Sequence, residues 1–207
     1  MHRRTALSVS AALLAAAPLL SACSGQAHPG TAAVVGGERI TTSALQAQVN
    51  EVRSAQNRSD QGAQLIEATP RLDRSKLNRM IQSAVLERAA KDAGVSVTTK
   101  EIEDVRKAQL QQAGTPAALE TAALQQAQLA PDQMDADTRF KLLRDKLFEH
   151  YGNQDKALEK LGAAAKALHV QVNPRYGRWD ARQILLGDET TPWITQQTRP
   201  DQAPAGT

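Results

Sequence analysis

Chemistry at a protein site needs side chains of defined type at short, defined spacings. The candidates in this chain are four histidines, three aspartates, a glycine pair and one cysteine. His2, His28, His150 and His169 are scattered, and none has a carboxylate or a second histidine at metal-ligand spacing. Asp132, Asp135 and Asp137 open like a calcium loop, but its Gly and terminal Glu are missing. Carboxylates in this position favour a helix N-terminus instead. Gly36-Gly37 lacks the further glycines and the Lys of a phosphate loop, so it is read as a turn. No G-x-S-x-G elbow gives Ser, His and Asp a triad context. The chain is therefore expected not to be an enzyme and to use no metal or cofactor.

The lone cysteine, Cys23, can form neither an intramolecular disulfide nor a cysteine metal cluster. Its surroundings explain it. Arg3 and Arg4 lie in a positive opening segment, and Ala6 to Leu20 form an apolar run too short and too alanine-rich to span a membrane comfortably. Leu20-Ser21-Ala22-Cys23 follows, and this resembles the bacterial lipobox. The resemblance implies cleavage after Ala22 and a diacylglyceryl thioether, carrying palmitate-type chains, on Cys23. Two acyl chains give stable anchoring where one would be marginal. The expected location is the extracytoplasmic face of the cell membrane.

Of 207 residues, 25 are Lys or Arg and 22 are Asp or Glu. Without Arg3 and Arg4 the mature chain is close to neutral, with its charges interspersed, so no basic stripe is left to engage nucleic acid.

The elements follow from periodicity. Ala33-Val34-Val35 and Arg39-Ile40-Thr41 read as short strands around Gly36-Gly37. Thr42 or Ser43 can cap a helix with Leu45, Val49 and Val52 on one face, broken by the polar stretch 57–64. Asp73 to Ala93 is the strongest helix: Asp73 as cap, Leu77, Met80, Ile81, Ala84, Val85 and Ala89 as a stripe, Gly94 as stop. Thr98 to Glu101 is a capping-box pattern, and Thr115-Pro116 and Pro131-Asp132 restart further helices. Phe140, Leu143, Leu147, Phe148 and Tyr151 make an apolar face that stops at Gly152, and a last helix runs from Gln154 to Leu168. His169 to Val172 alternates as a strand. The expected fold is mostly α: five or six helices, with Ala33–Val35 pairing with Val170–Val172 so that the two ends close together. The expected divisions are a signal segment at 1–22, a tether at 23–31, a helical domain at 32–180, and a largely disordered tail at 181–207.

The order of these parts resembles the N-terminal module of the SurA family, periplasmic chaperones related to the PrsA foldases. AAVVGGERIT leads directly into SALQAQVNEVR; RSKLNRMIQSAVLERAAKDAGVSV continues into TTKEIEDVR; RFKLLRDKLFEHY and the strand VQVNP follow. Gly36 stands where the family has Asn. The resemblance covers about Ala32 to Asp180. Only 35 residues follow Val172, too few for the parvulin-type isomerase domain that many relatives carry. It therefore implies the chaperone part without the isomerase: a holdase for exported, unfolded polypeptides, working without ATP.

Flexible aliphatic side chains suit promiscuous binding. On that ground Leu110, Leu119, Leu124, Leu129 and Met134 are the candidate client contacts, with Tyr176 and Trp179 as a further patch. A lipoprotein that binds one dedicated envelope partner is the alternative expectation.

Overall fold

A computed structural model of the chain describes residues 30–188. The signal segment, Ala22, Cys23 and the end of the expected tail, with Trp193, lie outside those residues.

The two N-terminal strands form as expected. β1 (Thr31–Val35) and β2 (Glu38–Thr41) pair antiparallel. Gly36 and Gly37 take φ of 60° and 87°, the left-handed geometry of a two-residue hairpin turn. The strand begins at Thr31, which is buried and lies one residue inside the stretch expected as a tether.

Seven α-helices follow among the described residues, one or two more than expected. α1 (Thr42–Arg58) is capped by Thr41, one residue earlier than expected, whose hydroxyl accepts from the Ala44 amide at 3.0 Å. The additional helix is α2 (Gly62–Glu67), which forms where the polar stretch seemed only to break α1. A buried cluster fixes it there. Arg53 donates to Gln56 Oε1 and Thr69 Oγ1, each at 2.8 Å, and to the Thr69 carbonyl at 2.6 Å.

α3 (Leu72–Ala93) is the central helix. Asp73 sits in its first turn rather than at the cap, and Gly94 ends it at φ 69°. α4 (Thr99–Ala113) opens on the complete capping box: Thr98 Oγ1 accepts from the Glu101 amide, and the Glu101 carboxylate accepts from the Thr98 amide. α5 (Pro116–Ala127) has Thr115 as cap and Pro116 at its first position. After a 3₁₀ turn at Pro131–Gln133, α6 (Met134–Tyr151) runs to Gly152. α7 (Gln154–Ala167) is capped by Asn153.

The chain then returns to its start. β3 (Gln171–Val172) pairs antiparallel with β1, Ala33 against Val172, giving the sheet order β2-β1-β3. Asn173 secures the junction, its amide donating to the Ala32 carbonyl at 2.9 Å and its side chain to the Thr31 carbonyl at 3.2 Å.

Ordered structure continues past the expected boundary at Asp180. β4 (Arg178–Asp180) pairs with β5 (Leu185–Gly187), and Leu186 is buried in the main core. The polar face of α3 secures this hairpin. Asn78 Oδ1 accepts from the Leu186 amide at 2.8 Å, Gln82 donates to the Ile184 carbonyl at 2.9 Å, and Arg74 donates to the Leu186 carbonyl at 3.0 Å. Arg71 and Arg74 both pair with Asp188. A strand thus lies inside the segment expected to be disordered from 181, held by β4 and by side chains about a hundred residues away.

The main core gathers Leu77, Ile81 and Val85 of α3 with Leu45, Leu143 and Leu147, the first strand and Leu161 of α7. A smaller cluster of Val52, Ala55, Leu72, Leu124 and Ala130 lies where α1, α3 and α5 meet.

Candidate functional site

On α3, Leu77, Ile81, Val85 and Ala89 are buried, whereas Met80 and Ala84 on the adjoining flank are only partly covered. The apolar arc from Met80 round to Ala89 spans about 180° at 100° per residue, wider than the ~100° a single packing partner needs. The excess flank forms the floor of an open cleft of about 580 Å³. Val35 and Ile40 of the hairpin, Phe140 of α6 and Leu168 after α7 supply the other apolar walls.

Polar groups define the cleft's inner end. Asp137, in the first turn of α6, is buried and accepts from Arg79 at 3.2 Å and Lys141 at 2.7 Å. The Arg79 guanidinium also stacks over Phe140, 4.1 Å from the ring centre, and holds that ring in place. Beside it Lys76 is buried. Its ammonium donates to the Gln128 carbonyl at 2.8 Å and to Gln133 Oε1 at 2.6 Å. Gln133 in turn donates to the Gln48 carbonyl at 2.8 Å and to Glu51 at 2.7 Å. Gln128 is held at φ 54°, which turns its carbonyl toward α3. Burial, and secondarily the nearby Arg79, lowers the Lys76 pKa to about 8, so it remains charged at neutral pH. This network ties α1, α3 and the α5–α6 connection together and fixes one wall of the cleft.

The residues expected to contact clients are dispersed. Leu119, Leu129 and Met134 come together around a second recess of about 340 Å³ between α5 and α6, and Leu129 also touches the main cleft. Leu124 is buried in the smaller core cluster, and Leu110 is exposed on α4, apart from both recesses. Tyr176 is 3% exposed and belongs to the main core. Trp179 packs partly buried against that core. Leu124 and Tyr176 therefore act as packing groups with little surface to offer a ligand. Cys23 lies outside the described residues.

His150 and His169 are exposed, and His169 Nδ1 lies 2.9 Å from the Ala167 carbonyl. No group of three His, Cys, Asp or Glu is placed to hold a metal ion among the described residues. No helix among them is long and apolar enough to cross a membrane. The cleft itself is not apparent in the sequence, where Met80, Ala84 and Phe140 read as members of apolar helix faces like the rest and the Lys76 network has no local signature.

A helical body closed by its own two ends, with an apolar recess left open beside the closing sheet, is the class of module defined here. The SurA-like N-terminal domain family matches residues 4–148, and the chain belongs to that family. It is a chaperone-like family, associated with polypeptide substrates in general. No curated protein and no solved structure matches the chain.

Proposed function

We propose that the protein is a lipid-anchored extracytoplasmic holdase that keeps exported, unfolded chains from aggregating near the membrane surface, with no catalytic step of its own. The observation that carries this is the open cleft over Met80, Ala84 and Phe140, large enough for a few side chains of an extended segment. An apolar recess binds weakly and with little sequence demand, as a chaperone needs.

The anchoring half rests on Leu20-Ser21-Ala22-Cys23 at the end of an apolar run. Between Cys23 and the first strand at Thr31 lie seven residues, which extend to at most about 25 Å at ~3.5 Å each. The cleft would thus work close to the bilayer.

Two measurements test the reading. Cys23→Ser should block acyl labelling and release the protein from the membrane fraction; a variant that remains bound and identically processed removes the anchor. At a few-fold excess the protein should suppress aggregation of a model unfolded client, and Met80→Glu should weaken that effect. Unchanged aggregation with wild-type protein removes the holdase. A pull-down that yields one stoichiometric protein instead of a spread of clients would indicate a dedicated envelope partner.

A further inference from the structure

The cleft is bordered on one side by a sheet edge. β2 is a terminal strand in the order β2-β1-β3, so half of its backbone groups face away from β1. No hydrogen bond among the described residues engages that outer edge over Glu38–Ile40. The same three residues line the cleft. A segment lying over Met80 and Phe140 would therefore run beside unpaired backbone donors and acceptors, the arrangement that accepts an added strand.

The charges around the cleft have a sign. Arg79 is paired with Asp137, Arg88 with Asp92, and Glu87 with Arg139. Arg39 and Lys91 have no ion-pair partner among the described residues, and they face Glu38 as the one lining acid in the same condition. Lys76 adds a buried positive charge at the inner end, bonded to neutral carbonyl oxygens and to no carboxylate. The balance left for a ligand is positive.

We propose that the cleft takes an extended polypeptide segment as a fourth strand on β2, preferring segments that combine apolar side chains with acidic ones. The apolar side chains sit on the floor formed by Met80, Ala84 and Phe140. The carboxylates lie toward Arg39 and Lys91. Backbone pairing makes binding tolerant of sequence, while the positive rim selects among clients. This rests on the holdase reading and specifies what that site prefers.

The test uses the full chain and labelled hexapeptides in which Val or Phe alternates with Glu, or with Lys in a matched set, followed by fluorescence anisotropy. Two exposed ion pairs, each weak in water, predict that the Glu peptide binds about five- to tenfold more tightly than the Lys peptide, less so at high salt. Arg39→Glu and Lys91→Glu, both changes of surface side chains, should each remove or reverse the preference. N-methylating one alternating set of peptide amides should abolish binding, while methylating the other set should leave it nearly unchanged.

Equal binding of Glu and Lys peptides, or indifference to Arg39→Glu, overturns the charge preference. Equal tolerance of the two methylated sets overturns strand addition. A concentration-dependent dimer that excludes the peptides would make a second copy the occupant. Peptide binding by a chain ending at Asp188, but not by the full chain, would make the C-terminal segment the occupant. Either result overturns the proposal. If aggregation of the model client is suppressed while these preferences are absent, the holdase stands and this inference falls. If neither suppression nor binding occurs, both fall.

Discussion

Replacing Lys76 with Met should give a stability difference from the wild type that changes steeply with pH. The ammonium is buried against the Gln128 carbonyl and Gln133, and burial lowers its pKa from 10.5 to about 8. The folded protein therefore holds this proton less tightly than the unfolded chain does, so the charged form costs stability. The cost is fully present below pH 8, fades as pH rises, and is gone above 10.5. The gap between the two values corresponds to about 3 kcal/mol. Met has similar length and no proton to lose. At pH 7 the substitution relieves that cost but orphans two buried acceptors, at ~1–3 kcal/mol each, so the net change there is small. At pH 10 most of the charge cost has gone and the orphaning cost dominates, so Lys76→Met should be less stable than the wild type by roughly 2–3 kcal/mol more than at pH 7. Urea denaturation of both proteins at intervals from pH 7 to 10 reads this directly. Titration of the other lysines cancels in the difference. Two stability curves that stay parallel across that range would show that Lys76 reaches solvent and does not pin the cleft wall.

Further outcomes follow from packing and caps. Leu147→Ala, at a fully buried position in the main core, should lower stability by ~2–5 kcal/mol in urea unfolding. Gly177 adopts φ 117°, and a Cβ there would collide with the Gly187 carbonyl oxygen. Gly177→Ala should therefore separate β4 from β5, seen as faster proteolysis after Asp180 and altered Trp179 fluorescence. Thr98→Ala removes the capping box of α4 and should cost about 1 kcal/mol. Glu101, held by Lys146 and by the Thr98 amide and hydroxyl, has its pKa lowered to about 2. Its stabilising share is complete above about pH 4.5 and is lost as pH falls through 2, so Glu101→Gln should flatten the acid limb of an unfolding profile.

Features governed by neighbours in sequence were legible. Gly36-Gly37 needed positive φ, Thr98 with Glu101 formed its box, and Gly94 and Gly152 stopped their helices in left-handed conformations. Pairing of β1 with β3 was also legible, because two isolated short strands at the ends of a helical chain have few other partners. The β4–β5 hairpin was not. Residues 181–184 carry no tight-turn signature, and the bonds that order Leu185–Gly187 come from Arg74, Asn78 and Gln82, polar residues on α3 that look solvent-facing in sequence. Lys76 misleads in the same way, since nothing near it in sequence announces Gln128 and Gln133 as its partners.

The cleft lies over the long, regular helix α3 and not over the scattered aliphatic residues that suit promiscuous binding in sequence. Leu119, Leu124 and Leu129 lie in or just after α5, a short segment with little charge, and such a segment needs its few aliphatic groups to stay attached at all. Leu124 accordingly became the only buried residue of α5. α3 is long and strongly patterned, and its stripe invited the assumption that everything on it is covered. Covering about 180° of arc requires partners on both flanks. α6 and α7 cover part of it, while over Met80 and Ala84 the β1–β2 hairpin and Phe140 of α6 stand apart and leave a gap. Arg79 and Asp137 keep Phe140 upright at that opening, and Lys76 bars the inner end. The surplus width of an apolar stripe, measured against the partners the chain can supply, was therefore the sequence signal for an open surface. The leucines that merely looked loose were recruited to hold α5 in place.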